Sequence, residues 1–320
     1  MLGKAIKRLL AISLINVSIF TMGGCAASKP AKVADTASKP AATATPVANK
    51  STEKAPSIIM DTTPIAPIKV FDKLYFIGTK GVGAWLLNTS DGLILIDSMN
   101  DSEDAKNTIV PGIKKLGFDP ADIKYVLVTH GHCDHYGGAK YIQDNFGAKV
   151  LLTSVDWDFM NKNLKDRAAG KPGIPTPPLP TSHTEITDGQ KLTLGDTTIT
   201  IVSTPGHTPG GVSLIIPVTD NGTKHMVSMW GGTGLPQSLK DNKAYLSSLD
   251  YFAKFTDAAK VDAEITAHSF VDNGSERMET LRNRKAGDLN PFVIGQDAYK
   301  VYMDKLKTNV NANIKKLSKK

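Results

Sequence analysis

Cysteine is nearly absent from this chain: its 320 residues hold two, Cys25 and Cys133. Histidine is scarce, with seven in all. Aromatic residues make up 7% and are missing altogether from residues 26–60. The most apolar run, Leu9 to Met22, is interrupted by Ser13, Asn16 and Ser18. Each shortage excludes something. A run that short and that polar cannot span a bilayer by itself. A stretch with no aromatic residue, rich in Ala, Lys, Pro, Ser and Thr, cannot bury a core. Two cysteines rule out a disulfide framework.

Lys4, Lys7 and Arg8 precede the apolar run, and small residues follow it, so residues 1–24 read as a signal peptide. Met22-Gly23-Gly24-Cys25 resembles a bacterial lipobox. It implies cleavage before Cys25 and lipid attachment there. The expected product is an exported lipoprotein, with its domain in the periplasm or at the cell surface. Residues 25–60 are then the lipidated cysteine and a disordered tether, and Cys133 is left with no disulfide partner in the mature chain.

The net charge of +7 belongs to the ends. The signal and the tether carry +3 each, and the segment from Gln296 carries +5, which leaves 61–295 at −4. No basic nucleic-acid groove follows from such a distribution. Residues 61–320 form one domain, of a size that buries a single core.

Within it, Ile123 to Val128 reads as a buried strand. Thr129-His130-Gly131-His132-Cys133-Asp134-His135-Tyr136-Gly137-Gly138 follows, with three of the seven histidines in six positions. Imidazole plus carboxylate suits zinc. Four such ligands are too many for one ion with an open position. The natural division is His130 and His132 on one ion, Asp134 and His135 on another. In an extended chain His130, His132 and Asp134 share a side, and His135 joins them only if the chain turns. Gly137-Gly138 is expected to supply a tight turn. Cys133 is read as a small side chain facing away from the metals.

His130-Gly131-His132-Cys133-Asp134-His135 resembles the HxHxDH signature of the metallo-β-lactamase superfamily, and Gly206-His207-Thr208-Pro209-Gly210 resembles its GHTPG element. The resemblance covers roughly 71–306. It implies a four-layer αβ/βα sandwich: an α/β (α+β) fold of two facing sheets with helices outside. It implies that His207 completes the first zinc site with His130 and His132. His268, at the end of the apolar strand Ala263–Ala267, would complete the second with Asp134 and His135. Many relatives end the strand near Trp230 in an aspartate that bridges both metals. Here Gly231-Gly232-Thr233-Gly234 stands there, with no acid from Met226 to Lys240 and no cysteine. That departure points to subclass B3.

The implied chemistry is opening of a β-lactam amide by a metal-bound hydroxide, which Asp134 orients as well as binding metal. Thr233 is the one hydroxyl left to meet a substrate carboxylate. The expected partner is a small molecule, and the expected assembly a monomer. An exported hydrolase of another cyclic amide, lactone or ester is the alternative within the same chemistry. A non-catalytic zinc-binding lipoprotein is the alternative outside it.

The rest of the chain gives the frame. Strands are expected at 70–78, 82–88, 93–97, 148–152, 191–194, 198–203, 212–217 and 226–230. A hairpin turn is expected at Asp91-Gly92. Helices are expected at 102–116, disturbed at Pro111, and at 139–146, 239–259, 275–285 and 296–316. Residues 166–182, crowded with proline, form a long loop. Asp97 serves either to buttress the metal loop or to cap the helix after it. His183 and His225 are read as surface residues.

Overall fold

Alternation along the strands divides the apolar side chains between three cores. Ile94 and Ile96 pack in one, while Leu93 and Leu95 pack in another. Leu214 and Ile216 join the first, and Ile215 points into a third. Side chains of a strand alternate between faces, so strands apolar on both faces must be covered on both. The computed structural model, which describes residues 58–319 apart from Ile174, meets that demand with four layers.

The first sheet has seven strands in sequence order: β1 (Pro64–Lys69), β2 (Leu74–Thr79), β3 (Gly83–Thr89), β4 (Gly92–Ile96), β5 (Ile123–Leu127), β6 (Lys149–Leu152) and β7 (Thr184–Glu185). It is antiparallel through β4 and parallel from there on. The second sheet has five, in the order β12-β11-β10-β9-β8: β8 (Lys191–Leu194), β9 (Thr197–Ser203), β10 (Val212–Asp220), β11 (Thr223–Met229) and β12 (Ala263–Ile265). The central core lies between the sheets, with Phe76, Trp85 and Leu127 from one and Ile201, Val227 and Ile265 from the other.

Helices cover the outer faces. The first sheet carries α1 (Ser102–Asp104), a π-helical turn (Ala105–Ile109), α2 (Val110–Lys115), α3 (Cys133–Tyr136), α4 (Ala139–Phe146) and α5 (Ser154–Ala168). Ile109, Ile113, Ile142 and Met160 seal its outer core. The second carries α6 (Leu239–Ala259) and α8 (Gln296–Leu317), while α7 (Gly274–Arg282) buries Met278 in the central core. Tyr245, Phe252, Met303 and Val310 of α6 and α8 close the second sheet's outer core against Val202 and Ile215.

Several local expectations need correction. The β3–β4 turn is Ser90-Asp91, since Thr89 pairs with Gly92. Pro111 does disturb its helix: the Val110 N–H reaches back five residues to the Ala105 carbonyl, just before the proline, which has no N–H to give. Strand β1 lies outside the expected elements, and so do β7 and α5. Residues 58–60, assigned above to the tether, form a 3-10 turn. The signal, Cys25 and most of the tether lie outside the described residues.

Gly137-Gly138 is required for a different reason from the one expected. Both residues have helical backbone angles, with φ −59 at Gly137 and −87 at Gly138. A Cβ at Gly137 would lie 1.9 Å from the Asn100 carbonyl oxygen. The pair is there so that the Ser98–Asp101 loop can lie against it, with the Gly137 N–H on the Met99 carbonyl and the Gly138 N–H on the Ser98 carbonyl. Gly137→Ala should therefore cost about 1–3 kcal/mol, as overpacking does. Urea denaturation with an unchanged midpoint would contradict this close approach.

Candidate metal centre

The loops that follow β4, β5, β9, β11 and β12 all leave one edge of the sandwich. Cross-links between the sheets hold that edge. The Val212 N–H donates to the Thr129 carbonyl at 2.8 Å, the Gly83 N–H to the Ala267 carbonyl at 2.9 Å, and the Trp85 indole N–H to the Thr266 carbonyl at 2.9 Å. All six sequence-predicted ligands come together there, in two groups: His130, His132 and His207, and Asp134, His135 and His268. Within each group the donor atoms lie within 4.8 Å of one another. The chain turns as His135 requires: His132 is extended, at φ −88 and ψ 148, and Cys133 starts the helical turn α3. Cys133 packs into the core beneath the first sheet's helices.

Hydrogen bonds fix which ring nitrogen each histidine presents. His207 Nδ1 donates to the Gly234 carbonyl at 2.6 Å, and His268 Nδ1 to the Gly81 carbonyl at 2.8 Å. A carbonyl only accepts, so each Nε2 carries a free lone pair. His135 Nδ1 lies 2.7 Å from Asp97 Oδ2. Thr129 Oγ1 donates to the same Oδ2 at 2.9 Å, so it accepts from His130 Nδ1 at 3.1 Å. That leaves His130 Nε2 buried with no partner. His132 faces the site through Nδ1, 2.9 Å from His207 Nε2. A buried, partnerless nitrogen among converging lone pairs is what a metal would satisfy.

Protonation fits the same use. Burial, and then the neighbouring rings, push His130 and His207 well below the ordinary imidazole value. Burial brings His132 down to about 4 and also lowers His268. Burial works against the charge of Asp134, yet His135, His268 and His132 outweigh it and bring the carboxyl to about 2. His135 differs: burial opposes its charge, but Asp97 and Asp134 together raise its pKa. Metal ligands must be deprotonated, and this pocket keeps most of its donors so.

Asp97 buttresses the loop. It is fully buried, at a left-handed φ of 60, and accepts from Thr129 N at 2.8 Å as well as from Thr129 Oγ1 and His135. The helix cap is Asp101, whose side chain accepts from the Asp104 N–H. Thr233 is half-buried in the loop that also contains Gly232 and Gly234. A Cβ at Gly232 would lie 2.5 Å from the His207 ring, so this strand end has no room for a side chain while His207 keeps its place.

Two histidines stay outside the centre. His183 is half-buried and stacks on Trp157, with ring centroids 4.4 Å apart. His225 is also half-buried, where surface exposure was expected. Its Nδ1 pairs with Asp262 at 2.7 Å, because β11 begins there, at the end of the sandwich away from Trp230. Sequence reading missed Asp156. This fully buried carboxylate accepts from the Gly131 N–H at 2.7 Å, the Thr208 hydroxyl at 2.6 Å and the Gly210 N–H at 2.7 Å. The one available signal was its position three residues after Thr153, a helix-capping pattern that says nothing of the loops it reaches.

Asp97→Asn puts an amide where His135 and Thr129 both need an acceptor. Loss of such a supporting partner should weaken zinc binding by about 10–100-fold. Chelator competition measures it, and an unchanged affinity would show that the buttress has no bearing on the metal.

Comparison with known proteins agrees with this geometry. Residues 78–220 match the model of the Metallo-beta-lactamase superfamily. Among solved structures, the chain is similar to BJP-1, a subclass B3 metallo-beta-lactamase of Bradyrhizobium japonicum, at 27% identity and TM-score 0.68, over 80% of this chain and 96% of that one. It is similar to FEZ-1 metallo-beta-lactamase from Legionella gormanii at 25% identity and TM-score 0.70, over 80% and 98%. Among curated proteins, N-acyl homoserine lactonase AttM of Rhizobium radiobacter is 36% identical over 113 residues, 33% of this chain. That segment spans only 41% of the lactonase. The match to the metallo-beta-lactamase superfamily thus lies in residues 78–220, and the solved structures that share the fold over 80% of the chain are metallo-beta-lactamases, BJP-1 among them of subclass B3.

Proposed function

We propose that the protein is a zinc-dependent hydrolase that opens the amide of β-lactams. The observation that carries this reading is the glycine strand end after β11. It supplies no carboxylate to the site, and the His207 ring fills the space a side chain would need. The centre is then left with three imidazoles on one side and Asp134, His135 and His268 on the other, the division expected of subclass B3.

His130, His132 and His207 would hold one zinc, and Asp134, His135 and His268 a second. Zinc so bound supplies Lewis acidity and lowers the pKa of its water to about 7. The chain's own residues do the rest. Asp134, kept ionised, accepts a hydrogen bond from the attacking water and so aims its oxygen at the carbonyl carbon. Thr233 offers a hydroxyl to a substrate carboxylate. The C–N bond breaks, and the ring nitrogen takes up a proton that the water gives.

The partial likeness to a lactonase favours one second reading, in which the same centre acts on a lactone or another cyclic acyl compound. We also propose that the protein is exported and anchored through a lipid on Cys25, with the domain acting as a monomer on a small molecule.

The direct test is hydrolysis of a chromogenic cephalosporin by protein lacking residues 1–25, with added zinc. Zinc-dependent turnover is expected. His132→Ala should lower kcat/KM by at least about 100-fold, as loss of a metal ligand removes more than loss of a supporting partner. Turnover of lactones and none of cephalosporins, by folded zinc-loaded protein, would move the assignment to the second reading.

A further inference from the structure

Helix α5 has no ligand on it, yet its first turn grips both loops that form the three-histidine group. Asp156 Oδ2 accepts from the Gly131 N–H and the Thr208 hydroxyl, and Oδ1 accepts from the Gly210 N–H. Gly131 lies between His130 and His132, and Thr208 follows His207. So one carboxylate holds the chain next to all three imidazoles. Thr153, the helix cap, adds a fourth bond: its hydroxyl donates to the Gly210 carbonyl at 2.8 Å, while its Oγ1 accepts from the Asp156 N–H at 3.2 Å. One turn further on, Phe159 meets the His132 ring edge to face, with centroids 6.0 Å apart.

The other three-residue group is held from elsewhere. His135 is fixed by Asp97, and His268 by the Gly81 carbonyl. Among the hydrogen bonds described, none joins Asp156 to Asp134, His135 or His268.

We propose that Asp156 is a positioning residue for the His130/His132/His207 group, so that it sets zinc affinity there and not at the Asp134/His135/His268 group. The proposal rests on the zinc reading given above. The physical reason is that two loops from different sheets converge on that group. Each is free to shift unless its buried N–H groups are tied, and a buried charge-assisted bond is a strong tie. Asp156→Asn keeps one acceptor oxygen but turns an amide N–H₂ towards donors.

The experiment is cobalt and zinc titration of the full-length protein, read by the visible absorption of each cobalt site and by chelator competition. Wild type should bind two ions. Asp156→Asn should weaken one site by about 10–100-fold, the usual effect of an outer partner, and leave the other within about twofold. Thr208→Val removes a single bond and should weaken the same site less, and Thr208→Ser should restore it. These two variants keep the test decisive if Asp156→Asn fails to fold. Equal weakening of both sites, or none in folded Asp156→Asn, would overturn the proposal and leave the zinc reading intact. Wild type that binds no metal would overturn both.

Discussion

A carboxylate with no water around it must be met by protein donors, and this structure depends on two that are. Asp97 and Asp156 are both fully buried, and each accepts three hydrogen bonds. Neither belongs to the ligand groups. Between them they tie the loops after β4, β5 and β9 and the first turn of α5. The imidazoles could not converge without such ties, because lone pairs facing one another in a dry pocket gain nothing by doing so. The fold spends its rigid elements on holding a constellation that only a cation makes favourable.

The residues that converge in the two groups were largely legible in the sequence. His130, His132, Asp134 and His135 are crowded into one short motif, and His207 sits in a proline-glycine loop that marks it. The strands were legible where both faces are buried, because a short apolar run such as Leu93–Ile96, opened by the Asp91-Gly92 turn signal, reads as a buried strand. What escaped was either marginal or held by distant partners. Strand β1 contains Pro64 and Pro67 and lies at the sheet edge, where proline is tolerated but the strand signal is lost. Helix α5 buries only Asp156 and Met160, so its apolar stripe is too thin to read. Asp156 looks like an ordinary residue of a helix's first turn, because its partners lie 25, 52 and 54 residues away.

His225 and His183 show the same limit from the other side. Nothing around them in the sequence suggested a partner, and each has one. Asp262 reaches His225 from the turn before β12, and Trp157 reaches His183 from the unrecognised α5. Contacts between elements far apart in sequence are set by topology, which local patterns do not encode.

Gly232 joins these threads. In the sequence it stands as an absence, a strand end with no acid. In the structure the absence is enforced, since the His207 ring lies where a Cβ would go. His207 is held there by the Gly234 carbonyl, two residues on. The same tetrapeptide thus withholds a side chain and supplies the acceptor that fixes the tautomer of His207. A carboxylate added at 232 would have to displace a ring whose Nδ1 is tied by the very loop that carries it. One substitution therefore cannot turn this centre into one bridged by an acid. The loop and the imidazole would have to change together, and this coupling keeps the three-nitrogen group distinct from its neighbour.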